Sequence, residues 1–308
     1  VTPVPGLSTR WVDSAAVIPG DRLEVRVAVL DIAFASGPKF GATERFLGAN
    51  AGVLAAWVDH HRHPAWERWA SDPRFVLVPN NVAHACPELV TPDVVTRAGQ
   101  VGLLLAHADF DGMMSAVTWR LGGRSPYPEA LEDARAADSP GRGHVLTARG
   151  ARLVDALDQA KERLHTPERH DLMTRVADAL VTGTESPALT ALVDDLASRA
   201  HTTREKAQGL LGGGKEEFTG VYVVRHPGNL SGRVKKAILL LAEERADVGA
   251  VVEGAGPFHV TAATFREDID LSEVSLLSAG RSDYRFVNRI ADPVPVLKAL
   301  SLLARPYG

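Results

Sequence analysis

The stretch VGLLLAHADFDGMMSAVTWRLGG, residues 101–123, decides how the chain is read. Its opening VGLLLA is continuously apolar, without the polar alternation of a half-exposed strand. That is the pattern of a strand covered on both faces, as in a parallel sheet flanked by helices. The run ends in a polar loop, HADFDG (107–112), and MMSAVTWRLGG reads as the helix that follows. Alternate side chains of an extended segment share a face, so His107, Asp109 and Asp111 are expected to point the same way. Gly112 is expected to permit a sharp turn into the helix. The helix N-terminus would then offer backbone N–H groups to an anion such as phosphate.

Outward from this stretch, RLEVRVAVLDIAF (22–34) alternates and then becomes nearly continuous apolar, as a central parallel strand should, with Asp31 at its end. TERFLGANAGVLAAWV (43–58) has mostly helical spacing, and its end, LAAWV, reads as the next strand, running into Asp59, His60 and His61. FVLVP (75–79) is a short strand, and ACPELVTPDVVTRAGQ (85–100) is helical with a break at Pro92. VTPVPGLSTR (1–10) has no periodicity and reads as an arm. Strands alternating with helices predict an α/β fold, with a larger domain built on a mostly parallel sheet. TARGARLVDALDQAKERL (147–164), DLMTRVADALV (171–181) and PALTALVDDLASRAHTTREKAQGLL (187–211) are long helices that predict a helical connector. GGGKEE (212–217) is the expected boundary, and it lacks the spacing of a phosphate-binding loop. Beyond it, three strand patterns and two helix patterns predict a smaller C-terminal α/β domain. The expected division is 1–165, 166–217 and 218–308.

The formal net charge of −4 over 308 residues gives no global basic field, which argues against duplex DNA as a partner. The single cysteine, Cys86, rules out an intrachain disulfide and fits a reducing cytosol. Cys86 reads as a small core residue. No secretory signal and no apolar run long enough for a bilayer is read, so the expected location is cytoplasmic, without a membrane partner.

Ligands of open α/β sheets bind beyond the carboxyl ends of the strands. Three strand ends here carry Asp31, then Asp59, His60 and His61, then His107, Asp109 and Asp111. Carboxylates at that density repel unless cations sit among them. Carboxylates mixed with imidazoles suit Mn²⁺, Fe²⁺, Zn²⁺ or Mg²⁺, and the carboxylate-rich mix favours Mn²⁺ or Mg²⁺. In AGRSDYR (279–285), Arg281, Ser282 and Arg285 lie in a small-residue turn where guanidinium groups could fork onto phosphate. An ion pair between Arg281 and Asp283 is the rival reading. His84 is either a core histidine or a substrate contact.

VDHH (58–61) and HADFDGMMSA (107–116) resemble two signature motifs of the DHH phosphoesterase superfamily. AVLDIA (28–33) resembles its motif with a lone Asp at a strand end. NNVAHACPELV (80–90) resembles the segment after the triplet. RAADSPGRG (135–143) resembles the last acidic motif, which points to Asp138. The C-terminal domain resembles the substrate-binding domain called DHHA1, with SAGRSDYRF (278–286) where the family's GGGH run would be. The order of the motifs departs from the family and looks circularly permuted, since HADFDG follows the triplet instead of preceding it. A metal site depends on where strand ends lie in space, so the three strands are expected to be parallel and to present their ends to one place.

The resemblance implies a hydrolase with two Mn²⁺ ions (Mg²⁺ as the alternative), about 3.5–4 Å apart, clamping a phosphoryl group. Asp31, His60, His107, Asp109, Asp111 and Asp138 are the implied ligands, with Asp31 bridging. Asp59 would orient an imidazole. His61 would contact the phosphate or protonate the leaving oxygen. Arg281, Ser282, Arg285 and His84 would hold the rest of the substrate in a cleft between domains. A separate small domain favours a nucleotide, dinucleotide or short RNA over bare pyrophosphate, and few aromatics argue against a processive nuclease. Hydrolysis of polyphosphate or pyrophosphate, and a non-catalytic nucleotide sensor, are the alternatives. A homodimer is compatible with the sequence.

Overall fold

The computed structural model describes residues 7–304 apart from 36, 81, 139–143, 265, 267 and 281–283. These residues form two compact units, 7–138 with 144–198 and 199–304. The first contains β1 (Ser8–Val12), β2 (Val27–Leu30), α1 (Phe40–Asn50), β3 (Leu54–Asp59), β4 (Phe75–Leu77), α2 (Pro92–Ala98), β5 (Leu103–His107), α3 (Phe110–Arg120), α4 (Ala130–Asp138), α5 (Ala148–Arg163) and α6 (Thr166–Thr182). α7 (Pro187–Leu211) begins there and ends in the second unit. The sheet order is β1-β5-β2-β3-β4, and every pair is parallel.

The continuous apolar strands follow from burial on both faces. Ala28, Leu30, Ala56, Val58, Leu104 and Ala106 join one core with Met113 and Met114 of α3 and Leu172 and Met173 of α6. The alternate residues Val27, Val29, Trp57 and Leu105 join the opposite core with Phe34 and Phe46. Trp57 is fully buried and still satisfies its indole, donating Nε1–H to the Ile32 carbonyl at 3.0 Å. The expected α/β class is the one adopted.

Two local expectations change. The arm expected over 1–10 is in part a strand, because Ser8–Val12 pairs in register with Leu103–His107. β1 is an edge strand with only Trp11 and Val12 buried, so it carries little apolar signal. Pro92 does not break a helix but starts one. It stands in the first turn of α2 behind the N-cap Thr91, where a missing N–H costs nothing.

Gly48 lies exposed inside α1, and a Cβ there would meet nothing within 4 Å. Gly48→Ala should therefore stabilise the protein by about 0.5–1 kcal/mol, measured by urea unfolding. A destabilisation would mean that α1 is not the helix described.

The second unit contains β6 (Lys215–Phe218), β7 (Val221–His226), α8 (Gly232–Glu243), β8 (Val248–Glu253), β9 (Phe258–Ala263), β10 (Ala279–Gly280), β11 (Tyr284–Ile290) and α9 (Val294–Leu303). Its sheet runs β10-β11-β9-β8-β7-β6, and only β7 and β8 are parallel, joined through α8. Val223, Val248, Ala250, Val252 and Val260 pack on one face with Leu297 and Leu300 of α9. Val224 and Val251 pack on the other with Ile238 and Leu239 of α8. Among the described residues no helix is long and apolar enough to cross a membrane.

Candidate metal centre

Register places the acids together. Leu30 pairs with Val58 on one side and with Ala106 on the other, so Asp31, Asp59 and His107 follow at one edge of the sheet. Neighbouring strands lie about 4.8 Å apart, so side chains from three strand ends can meet there. Swapped motif order has no effect on this, since β5 inserts between β1 and β2.

Asp31 leaves β2 with φ 57°, a left-handed conformation that costs about 1–3 kcal/mol outside glycine, less for Asp. Its N–H donates to the Val58 carbonyl at 2.9 Å, which fixes the turn. His60 is 1% exposed, and its Nδ1 lies 3.0 Å from the Ala83 carbonyl. A carbonyl only accepts, so Nδ1 carries the proton and Nε2 is left as the ligand atom. Nε2 lies 3.4 Å from Asp31, 3.3 Å from Asp111 and 3.5 Å from Asp138. His107 Nδ1 lies 2.6 Å from Asp109 and 3.7 Å from Asp31. Asp59 is fully buried and accepts from His61 twice, from the backbone N–H at 3.2 Å and from Nδ1 at 2.9 Å.

The turn from β5 into α3 differs from the expected extended alternation. His107 ends the strand, Asp109 is the N-cap, and Asp111 is in the first helical turn. The Asp109 carboxylate accepts from Gly112 N–H at 3.0 Å, so the helix N-terminus is capped by the chain itself. Asp111 Oδ2 accepts from Cys86 N–H at 3.0 Å. Gly112 is required by close approach, not by a turn. A Cβ there would stand 2.3 Å from the His107 carbonyl oxygen.

Among the described residues, three sets of possible ligand atoms each lie within a 4.8 Å span: Asp31, His60 and His61; Asp31, His107 and Asp109; and His60, Asp111 and Asp138. Asp31 and His60 each belong to two sets. Both Asp31 oxygens, His60 Nε2 and Asp111 Oδ1 are buried without a hydrogen-bond partner among the described residues. Orphaned buried acids cost several kcal/mol unless a cation meets them, so the residues present fit divalent ions.

Without metal, the imidazoles act as the cations. Burial disfavours charge on His60, but Asp111 and Asp31 outweigh it and push its pKa far above the usual imidazole range. His107 is pushed up to about 11, against burial, by Asp109 and Asp31. Burial likewise opposes the Asp31 carboxylate, yet His107, His60 and His61 hold it well below the usual range. Asp111 is pushed well above its range by burial and by Asp31. A metal must displace the imidazole protons. At neutral pH, Mn²⁺ binding should therefore release protons, and affinity should rise with pH. Calorimetry in buffers of different ionisation heat measures the release, and a proton count of zero would contradict the arrangement.

Of the other sequence-derived candidates, Asp138 closes α4 beside His60, as the least motif-like of the six acids and imidazoles. His84 is paired through Nδ1 with His144 Nε2 at 2.8 Å. Arg285 lies on β11 and donates from Nε and a terminal nitrogen to the Leu277 carbonyl at 3.1 and 2.8 Å. Arg281 and Ser282 lie outside the described residues. Sequence reasoning does not find the Ala83 carbonyl, the Cys86 N–H, or the His144 and Glu132 side chains. The first two are backbone groups and leave no residue signature.

No protein-family model matches the chain, and no curated protein matches it. Solved structures are similar to it at low identity. One is the pGpG-specific phosphodiesterase PggH from Vibrio cholerae, 10% identical over 90% of this chain and 99% of that one, with a TM-score of 0.44. A second is an exopolyphosphatase-related protein from Bacteroides fragilis, 11% identical over 91% of this chain and 72% of that one, with a TM-score of 0.42. A third is the exonuclease RecJ bound to manganese, 18% identical over 89% of this chain and 74% of that one, with a TM-score of 0.37.

Proposed function

We propose that the chain is a divalent-metal-dependent phosphoesterase of the DHH type that hydrolyses a phosphate ester of a nucleotide or short oligoribonucleotide. The observation that carries this is Asp31, buried with both oxygens unpartnered and shared between two ligand sets. Asp31, His60, Asp111 and Asp138 would hold one Mn²⁺ ion, and Asp31, His107 and Asp109 a second. When bound, the ions supply charge stabilisation for a phosphoryl group and an activated water. The chain's own residues do the rest. Asp59 fixes the His61 ring through Nδ1. Burial lowers the His61 pKa, but the Asp59 hydrogen bond and charge push it up to about 9, so it carries a proton at neutral pH. That proton can pass to the leaving-group oxygen. The separate second unit supports a substrate larger than pyrophosphate.

The test is a panel with Mn²⁺ covering pyrophosphate, polyphosphate, cyclic dinucleotides and RNA two to five nucleotides long. A nucleotide member should be cleaved, and chelation should stop it. Cleavage of polyphosphate alone would move the substrate class. No turnover with Mn²⁺ or Mg²⁺, or turnover that survives chelation, would overturn the proposal.

A further inference from the structure

The ligand sets of the metal centre are held in place by different means. Asp31, His107 and Asp109 follow β2 and β5, and sheet register fixes their spacing. In the set of His60, Asp111 and Asp138, the third member has no strand beneath it, because Asp138 ends α4. Contacts outside the sheet must therefore set the 3.5 Å between Asp138 and His60 Nε2.

The segment 83–88 touches this set twice. The Ala83 carbonyl lies 3.0 Å from His60 Nδ1, and Cys86 N–H donates to Asp111 Oδ2 at 3.0 Å. Glu88, in the helical turn Cys86–Leu89, stiffens the segment by accepting from Ala85 N–H at 2.9 Å. Its other carboxylate oxygen accepts from a terminal nitrogen of Arg135 at 2.6 Å. Arg135 and Asp138 stand three residues apart on α4 and so share a face. One ion pair ties the segment that orients two ligands to the helix that carries the third. A fully exposed pair would hold little, but these side chains are only 18% and 33% exposed. Burial opposes charge on Glu88, yet Arg135 and the Ala85 N–H hold its carboxyl below the usual range, so it is ionised at neutral pH. Glu132 lies 3.5 Å from the other terminal nitrogen of Arg135 and steadies the guanidinium.

We propose that Glu88 and Arg135 are positioning residues for one metal ion of the pair, the ion that His60, Asp111 and Asp138 would hold. The proposal rests on the metal-dependent reading of the site, and it concerns ion affinity, which is measured without turnover. Neither residue touches the ion. Without the pair, α4 can shift against the segment 83–88, and the Asp138 carboxylate loses its fixed distance from His60. Removing such an outer partner of a metal ligand costs about 10–100-fold in affinity.

The test is Mn²⁺ titration of the full chain by calorimetry. Arg135→Met should weaken one of the two ions about 10-fold or more and leave the other unchanged. Arg135 makes a single bond to Glu88, which an ammonium can also make, so Arg135→Lys should retain most of the affinity. Glu88→Gln keeps an oxygen for the Ala85 N–H and loses the charge, so it should weaken the same ion. It also carries the test if Arg135→Met fails to fold, which the thermal midpoint in chelator reports. Asp138→Asn removes a ligand from the same set. If Arg135 acts by placing Asp138, adding Arg135→Met to Asp138→Asn should cost little further affinity. Equal weakening of both ions, or full additivity in the double variant, would make the pair a general strut and overturn the proposal. So would Arg135→Lys as weak as Arg135→Met. Two ions bound by the native chain and held unchanged in every Glu88 and Arg135 variant would overturn this proposal alone. No ion bound by the native chain would overturn it together with the metal-dependent reading.

Discussion

Asp31→Asn should lower the proposed phosphoesterase turnover by at least about 10³-fold, because it weakens both ligand sets at once and ions held there would supply the nucleophile and the charge stabilisation. Asparagine tolerates the left-handed backbone that Asp31 adopts, so the turn should survive and the loss should be chemical. Stability of the metal-free protein gives an independent reading. The Asp31 carboxyl is held below its usual range, against burial, by His107, His60 and His61. Its ionised form therefore stabilises the fold above the unfolded pKa, and that stability is lost as pH falls. Asp111 is the opposite case. Burial and the Asp31 charge raise its pKa, so its stabilising contribution exists at low pH and is lost as pH rises. At neutral pH in chelator, Asp31→Asn should lower the thermal midpoint and Asp111→Asn should raise it. The amide oxygen introduced by Asp111→Asn can still accept from the Cys86 N–H, which isolates the effect of the charge. Shifts in the same direction for both would contradict the electrostatic account.

Gly112→Ala should have the second largest effect. A Cβ would lie 2.3 Å from the His107 carbonyl oxygen and 2.9 Å from its carbon and nitrogen, and a backbone cannot step aside as a side chain can. We expect a loss of about 3 kcal/mol or more in urea unfolding, at the upper end of overpacking. Whatever folded protein remains should turn over about 10²-fold more slowly, since His107 and Asp109 must shift and a displacement near 1 Å has that cost. Normal stability and activity would show that β5 and α3 do not approach as described.

The layered fold is legible in the sequence because burial on both faces writes itself as continuous apolar strands, and β2, β3 and β5 all carry it. β1 is not, since an edge strand buries only Trp11 and Val12. The acids and imidazoles that follow β2, β3 and β5 are legible as a set because they stand where apolar runs stop, whereas Asp138 ends the polar helix α4. Their convergence is legible only in part. HADFDG reads as an extended alternation, yet the chain already turns helical at Phe110, and Asp111 reaches the cluster from the first turn of α3. The role of Gly112 escapes sequence reading for the same reason. A turn demands torsional freedom, which sequence suggests, whereas close packing against His107 depends on a contact that only the folded chain has. The His84–His144 pair spans 60 residues and has no local signal at all.

The most direct test is Mn²⁺ titration of the metal-free chain by calorimetry, native and Asp31→Asn side by side. The account predicts two ions per native chain and the loss of at least one in the variant. No binding by the native chain, or binding that Asp31→Asn leaves unchanged, would contradict it.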